Sequence, residues 1–120
     1  MYQEVKIGSK SVPMMAMASV DDMYEKIFHE DPIALQSSDD FDTGKLLKLV
    51  QRMGFVMAKF AELKDRRKMR ELNIDDYEDW LDQFERNEYI EALPNIRAVY
   101  EGQMITYTEA KKNSDEPTAE

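Results

Sequence analysis

The chain has 120 residues, no cysteine and one histidine, and its 16 Lys and Arg against 25 Asp and Glu give a formal net charge of −9. That length corresponds to one domain, and 42% hydrophobic with 34% charged residues describes a folding chain, not a disordered one. Disulfides and thiolate metal sites are excluded, His29 alone leaves little for histidine catalysis or zinc, and no apolar run reaches the ~20 residues of a membrane span. The start, Met1-Tyr2-Gln3-Glu4, lacks the basic and then apolar pattern of a leader, so the expectation is a cytoplasmic chain without enzymatic activity.

In Glu4-Val5-Lys6-Ile7 apolar and charged residues alternate and Gly8-Ser9 offers a tight turn, which predicts a β-hairpin over residues 2–18. Pro13 cannot donate to a ladder, so the second strand should be an edge or begin after it. Met14-Met15-Ala16-Met17-Ala18 is apolar on both faces, as suits a strand buried on both sides or an adaptable contact surface.

Ser19 reads as the N-cap of a helix over about 20–30, with Val20, Met23, Tyr24, Ile27 and Phe28 on one stripe and a stop before Pro32. His29 falls in its last turn, where a partly charged imidazole complements the helix dipole. Residues 36–44 form a polar linker whose Asp42 or Thr43 can cap a long helix over about 44–72. In that helix Leu46, Leu49, Val50, Met53, Met57, Phe60, Ala61 and Leu63 follow the helical period, while Gly54 to Ala58 are apolar on nearly every side. Such a helix is either central to its domain or shared with another subunit.

The cations of Lys64-Asp65-Arg66-Arg67-Lys68-Met69-Arg70 read as a solvated helix end in preference to a nucleic-acid site, because the chain is strongly negative and no aromatics interleave them. Asn73 with Asp76 predicts a capped helix over about 74–86, apolar through Ile74, Tyr77, Trp80, Leu81 and Phe84. Asp75, Asp76, Glu78, Asp79, Asp82, Glu85, Glu88 and Glu91 then stand against Arg86 alone. They lack the ligand spacing and glycine of a calcium loop, and an amphipathic helix shows its acids to water, which leaves a solvated face or a docking surface for a basic partner. A last helical stretch over 88–101 is expected to break at Pro94, and the acidic tail 108–120 is expected to be disordered. The fold class is therefore α+β: mainly helical, with three to four helices and a small N-terminal hairpin, in one domain over 1–107.

The order Lys6-Ile7-Gly8-Ser9-Lys10-Ser11-Val12-Pro13-Met14-Met15-Ala16, then Tyr24-Glu25-Lys26-Ile27-Phe28, then Tyr77-Glu78-Asp79-Trp80-Leu81-Asp82-Gln83-Phe84-Glu85 resembles the tail assembly chaperones of long-tailed phages and prophages of Gram-positive bacteria. The resemblance implies a helical, non-enzymatic protein that binds and solubilises the tape-measure protein, helps recruit the major tail protein, works in the host cytoplasm and is absent from the mature virion. It also implies a longer form made by ribosomal frameshifting, for which Lys111-Lys112-Asn113 is compatible with an adenine-rich slippery run.

Apolar stripes of a helical client dock in grooves between helices. The candidate partner-binding residues are therefore Met53, Met57, Phe60, Tyr77, Trp80, Leu81 and Phe84, and Met15, Met17, Phe55 and Val56 are the candidates for self-association into a homo-oligomer. No nucleic-acid or membrane partner, metal or cofactor is expected. The alternative reading is an acidic, DNA-mimicking inhibitor of a basic nucleic-acid-binding protein. A hydrolase built on His29 lacks any nucleophile or phosphate-loop motif.

Overall fold

A computed structural model describes residues 2–103. Two strands, β1 (Tyr2–Ile7) and β2 (Lys10–Met15), are followed by α1 (Val20–Phe28), α2 (Pro32–Gln36), α3 (Thr43–Leu63), α4 (Arg66–Met69), α5 (Ile74–Leu81) and α6 (Arg86–Tyr100). The fold is α+β, mostly helical with a two-stranded antiparallel hairpin.

The hairpin forms as its sequence suggests. Gly8 supplies the positive φ of 63° that a tight two-residue turn needs at its first central position. Pairing alternates outward from Ile7↔Lys10, so Glu4↔Pro13 is a non-hydrogen-bonded pair and the proline nitrogen faces away from β1 without breaking the ladder. The register places Val5, Ile7, Val12 and Met14 on one face, and Val5, Ile7 and Met14 are fully buried against α3 and α6.

Helix α3 is the centre of the molecule. Leu49, Val50 and Met53 through Ala58 are all buried, because the hairpin, α1, α4, α5 and α6 pack around this helix. The apolar girth of this helix therefore serves the chain's own core. Phe55 and Val56, both 0% exposed, have no surface left for self-association. An aromatic chain ties the neighbours together: Phe28 meets Tyr77 at 5.0 Å, Tyr77 and Trp80 flank Phe55 at 5.5 and 5.7 Å, and Trp80 meets Phe84 at 5.0 Å.

Several boundaries differ from the sequence reading for identifiable reasons. The long helix expected over 44–72 stops at Leu63, where Lys64 turns left-handed (φ 54°), and the chain restarts as α4 with the Asp65 carboxylate accepting from Arg67 N at 2.8 Å. At about 100° per residue a continuous helix would carry Met69 to the side opposite Phe60; the turn lets Met69 bury completely. The helix expected to break at Pro94 instead runs through it. Pro94 and Ile90, the residue four back whose carbonyl loses its donor, both lie on the exposed side of the helix. Helix α5 ends at Leu81, not 86, and the turn through Phe84 separates it from α6.

Helix α1 ends at Phe28, with His29 as a left-handed cap (φ 57°). Ser19 makes no capping bond: its backbone (φ −90°, ψ 10°) is not the extended conformation that aims a capping hydroxyl, and its Oγ is buried without a partner. Asp42 and Asn73 do cap, and Asn73 and Asp76 form the reciprocal capping box. The expected tail 108–120 lies outside the described residues.

Helix α6 reaches α3 at Gly54. A Cβ there would stand 2.6 Å from the Tyr89 hydroxyl, which is fixed by donating to the Gln51 carbonyl at 2.6 Å, and 3.3 Å from two Ile96 carbons. Gly54→Ala should therefore lower stability by about 1–3 kcal/mol in urea unfolding, overpacking outweighing the gain in helix propensity. Gly44→Ala in the same helix meets only the Asp42 carboxylate at 3.4 Å and should raise stability by about 0.5–1 kcal/mol.

Candidate functional site

The apolar stripes of α3 and α6 extend past what the core covers. Leu46, Leu47 and Val50 on α3 face Ile90, Leu93, Pro94 and Ala98 on α6, whose spacing of three and four residues keeps them on one stripe. Between them runs a groove of about 380 Å³. A second depression of about 330 Å³ shares Leu47, Ile90 and Leu93 with it and continues to Leu81, Phe84 and Tyr89. At the junction Leu47 is 45% and Ile90 43% exposed. The result is one apolar channel along two helices on a chain that is one-third charged.

Its ends are polar. Arg97 and Glu101 form an ion pair at 3.0 Å at one end, and Asp82 and Arg86 line the other. Beyond Phe84 a third cleft of about 690 Å³ lies between β2, α3 and the α5–α6 turn, floored by Trp80 and Phe84. There the Lys10 ammonium stands 5.3 Å from the centre of the Phe84 ring and donates to the Gln83 carbonyl at 3.0 Å, pinning the hairpin to the turn.

The residues singled out in the sequence divide accordingly. Met53 and Met57 are 0% exposed, Phe60 5%, Tyr77 8% and Trp80 7%, so these five form the core and cannot take up a partner's side chains without unpacking it. Leu81 and Phe84 are part-exposed and do line the channel. Of the self-association candidates only Met17, 41% exposed, and the half-buried Met15 reach the surface. Leu47 and Ile90, the most exposed apolar side chains of the channel, were not singled out from the sequence. The signal for Leu47 was its position beside the main stripe of α3, and for Ile90 its spacing of four from Pro94.

Among the described residues no group of three or more His, Asp or Glu side chains could hold a metal ion, and no helix is long and apolar enough to cross a membrane. His29 is exposed and lies apart from the channel, in a depression with Lys26, Leu72 and Ile74. The eight acids from Asp75 to Glu91 are exposed apart from the half-buried Asp76 of the capping box.

Away from the channel the exposed Lys45–Asp40 ion pair at 2.8 Å lowers the carboxyl and raises the ammonium, and the other perturbed groups are phenols, with burial raising Tyr24 as well. Burial pushes Tyr77 up to about 12. Burial, helped by donation to Asp21 at 2.6 Å, does the same to Tyr100. Burial also raises the Tyr89 hydroxyl, held on the Gln51 carbonyl, well above its ordinary value. Since folding favours the neutral phenols, their contribution is complete below the unfolded value of 10.0 and is lost as pH rises through the folded values. The melting temperature should therefore not respond to these groups up to about pH 10 and should fall between about pH 10 and 12, together with the rise of tyrosinate absorbance. A fall that precedes the tyrosinate signal would mean that other groups govern alkaline unfolding.

Compared with known proteins, the chain matches no family model, and no curated protein or solved structure aligns significantly with it.

Proposed function

We propose that the protein is a non-catalytic tail assembly chaperone, acting in the cytoplasm of a phage-infected or lysogenic bacterium, that holds an apolar stripe of the tape-measure protein in the α3–α6 channel. The reading is supported by the order of sequence motifs along the hairpin, α1 and α5, and by a strongly negative exterior that would keep a complex soluble. The observation that carries it is the channel itself, in which Leu47 and Ile90 stand exposed on adjoining helices with Leu93 between them. A helical rod with residues repeating at three and four positions presents a ridge of matching shape, and burying it removes the apolar surface that would otherwise aggregate. Recruitment of the major tail protein belongs to the same proposal, as does absence from the finished virion.

The test is co-expression with the tape-measure protein encoded nearby, using the full chain and its Leu47→Asp, Ile90→Asp double variant. The wild type should keep the client soluble and co-purify with it in low and high salt, as apolar contacts do. The double variant should release the client while its unfolding free energy changes by less than about 1 kcal/mol, since both residues are exposed. A complex that dissolves with salt and ignores these substitutions would reject the channel in favour of acidic-face binding to a basic partner.

A further inference from the structure

We propose that the basic corner formed by Lys64 and α4 is a docking surface for a second copy of this chain, which it meets at the acidic outer face of α5. Five cations, Lys64, Arg66, Arg67, Lys68 and Arg70, fall within seven residues, and all are exposed. The helix dipole accounts for Lys64 at the end of α3, but the other four belong to a separate one-turn element whose own dipole is negligible. None of the five forms an ion pair among the described residues.

The chain also holds this corner in place. Met69 is fully buried beneath it, the Asp65 carboxylate accepts from Arg67 N at 2.8 Å, and the Arg70 N–H donates to the Arg66 carbonyl at 3.0 Å. The guanidinium groups are therefore presented by an anchored turn, with their mutual repulsion left uncompensated by any described ion pair.

Charge complementarity selects the partner. A phosphate polymer would meet the corner and otherwise only the field of a chain carrying −9; a second copy carries the same −9, but it makes two attractive contacts at once, each corner facing the other's Asp75, Glu78, Asp79 and Asp82. That face begins five residues after Arg70, at most about 18 Å along the chain, so positive and negative patches lie side by side. Two copies related by a two-fold axis can then place each corner on the other's acidic face, which closes as a dimer. The remaining negative charges of the two copies repel, so the pairing is weak. It should be strongest near 0.1 M salt, where the ~10 Å screening length spans facing patches but mutes the distant charges, and lost near 1 M.

Sedimentation velocity across a concentration series tests this with the full chain, the Arg66→Glu, Arg67→Glu variant, the Asp75→Lys, Asp79→Lys variant and an equimolar mixture of the two. Wild type should dimerise near 0.1 M salt. Each variant alone should associate at least about tenfold more weakly, because like charges then face each other, and the mixture should recover a heterodimer. The mixture keeps the test decisive even if one variant is less stable. A wild type that stays monomeric, variants that dimerise unchanged, or a mixture that fails to pair would each overturn the proposal. Binding of a DNA or RNA oligonucleotide that is lost in the Arg66→Glu, Arg67→Glu variant, with the wild type monomeric, would reassign the corner to nucleic acid.

Discussion

Everything in this molecule is arranged around the closeness of α6 to α3 at Gly54. With no Cβ at that position, the Tyr89 hydroxyl reaches the Gln51 carbonyl and Ile96 packs into the helix surface. The Tyr89 ring then stacks on Phe84 at 5.7 Å and meets Trp80 at 5.7 Å, which fixes the turn between α5 and α6. The hairpin lies across both helices, and Lys10 reaches the same turn. At the other end of α6 the Tyr100 hydroxyl donates to Asp21 and accepts from Gln36, tying α1 and α2 to it. A glycine in a helix interior costs roughly 0.5–1 kcal/mol against alanine, and here the packing it permits offsets that cost.

The same closeness shapes the surface. Towards their middles α3 and α6 are packed through Gly54 and Ile96, but around Leu47 and Ile90 their apolar stripes reach solvent as an open channel. The exterior is thus divided into an apolar channel, an acidic face on α5 and the start of α6, and a basic corner at α4. Three surfaces of different chemistry stand on one small chain.

Much of the fold was legible in the sequence because its larger elements carry strong periodic signals. The hairpin, the α1 stripe and the Asn73–Asp76 box follow from local chemistry alone. The short α2 and α4 were not anticipated because four or five residues show no period. Their signal was the capping aspartate, Asp31 before Pro32 and Asp65 before Arg66, which reads equally well as a stop or a loop. The site was less legible than the fold for a physical reason. Met53, Met57 and Leu47 are all apolar residues on one helix, and which of them is covered depends on where α5 and α6 lie, which is set by long-range packing.

We propose that the α3–α6 channel receives an apolar helical stripe. The most direct measurement is methyl-resolved NMR of the full chain, titrated with a synthetic amphipathic helix carrying leucines at spacings of three and four. Saturable shifts are expected at Leu47, Ile90 and Leu93, with Val5 and Ile7 on the buried face of the hairpin unmoved. Shifts confined to the surface of α5, or no saturable response at Leu47 and Ile90, would contradict it.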